Sequence, residues 1–203
     1  MGKTVIALTA ADRILYDRFE ASKVLVIAPL RVAEDTWSRE SAKWDHLKHL
    51  RVSKVLGDAK KRLAALNADA DLYCINRENV PWLVKHYGRH WPFDLVIIDE
   101  LSNFRNPSAK RFRALRKVRP LIKHLWGLTG TPRPRSLLDL WAQVYLLDRG
   151  ERLGETYGGY KDRYFSPGRR NGYVIFDWDP RPGAEEEITE KISDICISLE
   201  TAG

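Results

Sequence analysis

The sequence predicts an α/β domain with a mostly parallel central sheet and helices on both faces. Three observations carry this. Strands are read at 24–28, 71–75 and 94–98, whose apolar runs are 24–28, 72–75 and 95–98. A run with no polar alternation is a strand covered on both sides. Apolar residues at helical spacing fill the intervals between these runs, and strand, helix, strand in that rhythm builds a parallel sheet.

Each element follows in order. Val5, Ile6, Leu8, Ala11, Ile14 and Leu15 recur at helical spacing. The strand at 24–28 ends at Pro29, and a helix carrying Val32, Trp37 and Trp44 follows. Residues 51–56 read as a short strand, Gly57-Asp58 as a turn, and Leu63, Ala64 and Leu66 as helix. The strand at 71–75 leads to a helix through Trp82, Leu83 and Tyr87, and the strand at 94–98 to a helix over 108–118. A strand over 122–128 ends at Thr129-Gly130-Thr131-Pro132. Ser136 reads as the N-cap of an apolar helix through Leu137, Leu140, Trp141, Val144 and Leu147.

Beyond residue 150 the rhythm loosens, and 151–183 reads as an irregular insertion or hairpin. Gly158-Gly159 and Ser166-Pro167-Gly168 are expected as turns, 173–178 as a hairpin strand, and 179–183 as a loop. Residues 185–192 read as a helix and 195–199 as a final strand. There are no internal repeats and no low-complexity tails.

Composition bounds the function. A chain of 203 residues makes one domain, or one and a small appendage. With 30% charged residues and no run of eighteen apolar ones, no membrane span is expected. The N-terminus reads as glycine loop and helix rather than as a signal peptide. The net charge of +7 points to an anionic partner, nucleic acid first, against the plainer alternative of a solvated basic surface. Cations cluster at Arg105, Lys110, Arg111, Arg113, Arg116, Lys117, Arg119 and Lys123, and again at Arg133, Arg135, Arg169 and Arg170. Cys74 and Cys196 each fall in a strand-like run and form neither a disulfide framework nor a metal spacing. Two buried thiols in a reducing cytosol are expected. The five histidines are scattered without a ligand pattern and read as structural or surface residues.

Two motifs carry chemistry. Gly2-Lys3-Thr4 matches the tail of the phosphate loop G-x-x-x-x-G-K-[ST], whose Lys reaches the β and γ phosphates and whose hydroxyl binds Mg²⁺. Asp99-Glu100 ends the apolar run Leu95-Val96-Ile97-Ile98. Adjacent carboxylates at the end of a buried strand are costly unless paired or metal-bound. Together they form the two halves of an ATP site. Lys3 supplies a cation, Thr4 and Asp99 hold Mg²⁺, and Glu100 orients and deprotonates the attacking water. A Gly-Lys-Thr tripeptide also arises by chance, so the pair counts for more than either motif. Lys3, Pro29-Leu30-Arg31, Asn76-Arg77, Asp99-Glu100 and Thr129–Thr131 all fall at C-terminal ends of strands or at a helix start, where ligands bind in such sheets.

These residues resemble superfamily 2 helicases of the Swi/Snf type. Leu128-Thr129-Gly130-Thr131-Pro132 is similar to motif III. Val26-Ile27-Ala28-Pro29-Leu30-Arg31, with Trp37, Glu40 and Trp44, is similar to motif Ia and its helix. Ile97-Ile98-Asp99-Glu100-Leu101-Ser102 resembles the DExx box, and 138–147 the helix after motif III. Asn103-Phe104-Arg105-Asn106 and the stretch 183–198 resemble the compact Swi/Snf-like helicases of bacteriophages and prophages. The resemblance covers essentially all of 1–203 as the first RecA-like domain of such an enzyme.

The resemblance implies an ATP- and Mg²⁺-dependent DNA helicase or translocase of the bacterial or phage-infected cytoplasm. Gly2, Lys3, Thr4 and Asp99 would bind the nucleotide and metal. Thr129, Gly130 and Thr131 would couple nucleotide state to DNA contacts. Pro29, Leu30, Arg31, Asn76 and Arg77 would lie along the backbone of double-stranded DNA, as suits an enzyme that steps on any sequence. For Thr129 and Thr131 the plainer alternative is a capped strand-to-helix turn, and for Arg31 a solvated charge.

Two departures accompany the resemblance. The phosphate loop of the family often reads Gly-Met-Gly-Lys-Thr, so Met1 corresponds to its internal Met, and the preceding strand and most of the loop are expected to be missing. A second RecA-like domain is expected to be missing too. With it would go an arginine finger, worth about 10³ to 10⁵ in turnover, so the isolated chain is expected to turn over ATP little or not at all. Ser102 stands where better-known DExx boxes carry His or Asp. The competing hypothesis is a non-catalytic fragment that binds DNA or a partner through its basic face. A P-loop ATPase of another kind accounts less well for the Pro-Leu-Arg segment and Thr129–Thr131.

Overall fold

The computed structural model describes residues 2–130, 136–175 and 177–197. The chain divides into two compact units, Met1–Leu101 with Ala109–Gly130, and Ser102–Ser108 with Thr131–Gly203. Thr131, Pro132, Arg133, Arg135, Ser198 and Leu199 lie outside the described residues, as does Phe176 within the expected hairpin strand.

In the first unit, helix α1 (Lys3–Asp12) leads into strand β1 (Val24–Ala28). A wide turn over Val32–Thr36 opens helix α2 (Trp37–Lys43). Strand β2 (Val52–Val55), helix α3 (Ala59–Asn67), strand β3 (Leu72–Asn76), helix α4 (Val80–Tyr87), strand β4 (Leu95–Asp99), helix α5 (Lys110–Val118) and strand β5 (His124–Leu128) then alternate. Asp58 caps α3 by accepting from the Lys61 N–H at 2.9 Å, and Pro81 starts α4 where its missing N–H costs nothing.

The five strands form one parallel sheet in the order β2-β3-β1-β4-β5. Chain direction explains the layers. The steps β2 to β3, β3 to β4 and β4 to β5 all move the same way across the sheet. Right-handed crossovers therefore place α3, α4 and α5 on one face. The step from β1 to β2 runs the other way and sends α2 to the opposite face, beside α1. There Leu8, Ala11 and Trp37 pack with Val24, Val26, Ala28, Cys74 and Ile97. The strand residues between these, such as Leu25, Ile27, Tyr73 and Val96, point to the other face and are equally buried. Covering both faces is what the unbroken apolar runs require. Burial pushes the Cys74 thiol up to about 12, which leaves it inert.

An acidic anchor closes the end of the sheet opposite the strand C-termini. Asp71, just before β3, accepts from the Tyr16 hydroxyl at 2.6 Å and the Arg51 backbone N–H at 2.8 Å.

The second unit carries helix α6 (Leu140–Asp148), helix α7 (Tyr157–Tyr164), short strands β6 (Phe165–Pro167), β7 (Arg170–Asn171), β8 (Val174–Ile175) and β9 (Trp178–Pro180), and helix α8 (Ala184–Ile192). Ser136 does cap, its Oγ accepting from the Leu138 N–H at 3.2 Å. The strands pair antiparallel, β6 with β9 and β7 with β8.

Four expectations are corrected here. Asp179 and Pro180, expected in a loop, pair with Ser166 and Phe165 as part of β9. Gly158-Gly159 is not a turn but lies inside α7. Thr156 caps that helix by accepting from Gly159 N–H at 3.1 Å, and Tyr160 and Tyr164 bury one of its faces. That burial outweighs the roughly 1 kcal/mol each glycine costs a helix. Ser166 and Pro167 are paired in β6 rather than turning, with Pro167 at the strand's end. Residues 195–197 form a turn and coil rather than a strand, so Cys196 is exposed instead of sheet-buried. Among the described residues no helix is long and apolar enough to cross a membrane, and no group of His, Cys, Asp or Glu could by itself hold a metal ion.

Candidate active site

Strand β1 turns back toward the α1 and α2 face, while β4 feeds α5 on the opposite face. The crevice beyond their C-terminal ends is the switch point of the sheet, where open α/β domains bind ligands. Four sequence-identified residues meet there. Asp99 is the last residue of β4, paired in register with Leu128 of β5. Glu100 follows it, its backbone in the left-handed region at φ 59°, which disfavours any side chain. Strain of this kind concentrates at functional sites. The consequence is geometric, because the two carboxylates diverge.

The Glu100 carboxylate lies between two donors. Lys3 Nζ, at the start of α1, is 3.7 Å from Glu100 Oε1. The Gly130 backbone N–H, just past β5, donates to Glu100 Oε1 at 3.3 Å and Oε2 at 3.4 Å. A Cβ on Gly130 would stand 3.2 Å from both the Glu100 oxygen and the Lys3 nitrogen. A side chain at this position would press on the ends of both partners. The Lys3–Glu100 pair is about one-third exposed on each side, so it adds no more than about 1 kcal/mol to stability.

Asp99 turns the other way. Trp37 in α2, fully buried, donates its indole N–H to Asp99 Oδ2 at 3.1 Å. Burial holds the Asp99 carboxyl above the usual carboxylate range, the Trp37 bond opposes this, and the neighbouring Glu100 charge adds to it. A carboxylate of that kind gains from a cation. Gly2 stands at the N-terminus of α1, and Thr4 lies half-buried in its first turn. The first amides of a helix have no partner within it and face an incoming anion. Cation, paired carboxylates and free amides form a donor set that fits a phosphate chain with a divalent metal.

A second group of sequence-identified residues lies on the same rim. Ala28 and Asn76 are register partners, so Pro29, Leu30 and Arg31 leave the sheet beside Asn76 and Arg77. Leu30 and Arg31 are exposed. Asn76 is buried and donates to Glu78 Oε2 at 3.1 Å, and Arg77 pairs with Glu78 Oε1 at 2.9 Å. Thr129 is exposed beside Gly130.

Sequence reasoning misses two residues. Trp37 reads only as a member of its helix, since nothing in the chain signals a bond to a carboxylate so distant. Gly127, within β5, lies against Leu101, the residue after Glu100, and a Cβ there would come within 2.4 Å of Leu101 Cδ2.

Residues 1–154 match the family model of the SNF2-related domain. The chain belongs to that family. It is similar over its whole length, at 41% identity, to protein p41 of Acyrthosiphon pisum secondary endosymbiont phage 1, of which it spans 45%. It is 26% identical to the DNA excision repair protein ERCC-6-like of Danio rerio, over 96% of this chain and 13% of that one. Among solved structures it resembles the Sulfolobus solfataricus SWI2/SNF2 ATPase core in complex with dsDNA, with a TM-score of 0.74 and 25% identity over 95% of this chain and 36% of that one. The chain thus spans less than half the length of these relatives. Its parallel sheet with helices on both faces is the RecA-like fold of the SNF2 ATPase core, and nucleotide use with a divalent metal goes with the SNF2-related family.

Proposed function

We propose that this chain is the ATP-binding and hydrolysing domain of a DNA-dependent helicase or translocase working in the cytoplasm of a bacterial or phage-infected cell. The observation that carries this is the convergence of Lys3, Glu100 and Gly130 beside Asp99 at the switch point of the sheet. Lys3 takes the charge of the terminal phosphates, and the α1 amides with Gly2 take their oxygens. Asp99 and Thr4 hold Mg²⁺, which when bound supplies positive charge beside those phosphates. Glu100 accepts a hydrogen bond from the attacking water, orients it in line, and takes its proton. The Gly130 N–H fixes the Glu100 carboxylate. Movement of Thr129 and Gly130 therefore moves the base, which links nucleotide state to whatever those residues touch.

Double-stranded DNA is the proposed track, held through its backbone at the strand-end rim by Leu30 and Arg31, with Asn76 and Arg77 beside them. Arg77 would exchange its Glu78 partner for a phosphate. A second RecA-like domain is the proposed partner that completes the ATP site and supplies the arginine finger.

The test is binding of a fluorescent ATP analogue with Mg²⁺ to this chain and to Lys3→Ala. Binding that is lost in the variant is the expected result. Equal binding by both would sink the assignment of Lys3. No binding by either, with DNA binding retained, would favour the non-catalytic alternative.

A further inference from the structure

The second unit carries a β-arm that the ATP site does not use. Phe165, Ser166 and Pro167 pair with Pro180, Asp179 and Trp178. The Gly168 N–H donates to the Asp177 carbonyl at 2.8 Å, and Arg170 and Asn171 pair with Ile175 and Val174. All of these contacts keep the same register, so β6, β7, β8 and β9 are the two legs of a single hairpin. At about 3.3 Å per residue each leg reaches roughly 20–25 Å.

The loop of this hairpin is Gly172 and Tyr173. Gly172 takes a φ of 60° while Tyr173 stays at negative φ, the pattern of a type II′ turn with glycine first. The twist of that turn matches the twist of the legs, so the tip follows from the chain itself. The base is anchored as well. Phe165 is buried, its ring 5.5 Å from that of Tyr160. Arg181 donates its backbone N–H to the Tyr164 carbonyl at 2.9 Å and its Nε–H to the Phe165 carbonyl at 3.0 Å. Lys161 Nζ lies 4.8 Å from the ring centres of both Tyr157 and Trp178.

At the tip Tyr173 is fully exposed, and Val174 beside it is 58% exposed. Arg169 and Arg170 are exposed next to them. Arg169 pairs with Asp177 lower on the arm, whereas Arg170 takes part in no ion pair among the described residues. No acidic residue lies between 168 and 175. A ring held out in water gains nothing from the fold, and the cations beside it favour an anionic partner.

The end of a two-stranded ribbon offers little more than the faces of that ring. This is far below the roughly 800 Å² per partner of a stable protein interface. A nucleobase needs less: one flat face to stack on, with a cation near the adjoining phosphate. Within an intact duplex the base faces are covered by their neighbours. They are free in a single strand and at the mouth of a fork. We propose that Tyr173 is a base-stacking residue for unpaired DNA, with Arg170 on an adjoining phosphate. The choice of DNA rests on the function proposed above. To the duplex track it adds a contact that only separated strands satisfy.

The test uses the full chain, Tyr173→Ala and Tyr173→Phe. The site is exposed, so an unchanged thermal melt checks the fold of both variants. The probes are a single strand, a forked duplex and a blunt duplex, with iododeoxyuridine in the unpaired parts to photocrosslink to a stacked ring. Tyr173→Ala is expected to weaken single-strand and fork binding by about fivefold to a hundredfold and to lose the crosslink at residue 173. Tyr173→Phe should keep both, and blunt-duplex binding should be equal in all three proteins. Single-strand binding that survives Tyr173→Ala would overturn the proposal and leave the duplex track standing. An equal loss on fork and blunt duplex would overturn it in favour of a groove contact. A Tyr173→Phe variant as weak as Tyr173→Ala would assign the effect to the hydroxyl and refute stacking. Binding of unpaired strands through Tyr173 with no binding of blunt duplex would uphold the stacking residue and reject the duplex track. No binding to any of the three DNAs would reject both.

Discussion

The buried indole of Trp37 donates its N–H to the carboxylate of Asp99 at 3.1 Å, across 62 residues of sequence. Burial raises the proton affinity of Asp99, and this bond is the largest influence opposing it. Trp37→Phe keeps most of the packing and removes the donor. Loss of one hydrogen bond to a charged group is worth about 1.5–3 kcal/mol. We predict that Mg²⁺-dependent binding of an ATP analogue weakens by about tenfold or more, and that the pH below which binding fails moves upward. A titration of affinity against pH checks both. An unchanged pH profile would show that Trp37 only fills space.

Glu100 carries a second prediction, because its φ of 59° is a strain borne by the folded state. Left-handed backbone costs a residue with a Cβ about 1–2 kcal/mol relative to glycine. Glu100→Ala and Glu100→Gly both lose the Lys3 pair and the Gly130 bond, so they differ by the strain that glycine relieves, less the extra backbone entropy it loses on folding. Glu100→Gly is expected to be the more stable in urea unfolding by about 1 kcal/mol. Both are expected to abolish hydrolysis when the domain is joined to a second RecA-like domain. Equal stability would mean that the strain does not exceed that entropy loss.

Gly127→Ala tests how Glu100 is positioned. The added methyl meets Leu101 Cδ2 at 2.4 Å, and Leu101 Cβ and Cγ at 3.1 Å. Leu101 is buried, so it cannot swing clear without moving the backbone that carries Glu100. Overpacking of this kind costs about 1–3 kcal/mol. A fall in thermal midpoint together with weakened analogue binding is expected. Destabilisation with binding untouched would show that Leu101 and Glu100 move independently.

The parts of this architecture that can be read from the chain are those fixed by local chemistry. Val24–Ala28 and Leu95–Asp99 are legible because strands covered on both faces must be apolar throughout. Lys3 and Asp99-Glu100 stand out in the chain because the phosphate and metal chemistry proposed for them admits few residue types. What escapes depends on distant partners. The helical state of Gly158-Gly159 is decided by where Tyr160 and Tyr164 are buried, and β6 exists because β9 lies beside it. Trp37 and Gly127 belong to the site only through residues far away in the chain. Asn76 and Arg77 are expected on the rim and are there, but their engagement with Glu78 does not follow from spacing alone.

Asp71 carries the prediction about acid stability. Its side chain is almost wholly buried. Burial alone would raise its proton affinity, but hydrogen bonds from the Arg51 backbone, the Tyr16 hydroxyl and the Arg51 side chain outweigh that and hold its pKa below the ordinary value. A carboxyl depressed on folding contributes stability that is fully present above its unfolded pKa, near 4, and is lost as pH falls through the lower folded value. Unfolding free energy should therefore drop below about pH 4 in the wild type. In Asp71→Asn that part of the acid dependence should be missing. Asp71→Asn should also be less stable at neutral pH by about 1–3 kcal/mol, because the Tyr16 and Arg51 donors lose a charged acceptor. Chemical unfolding of both proteins from pH 3 to 7 measures this, and parallel curves would mean that the acid sensitivity lies in other carboxylates.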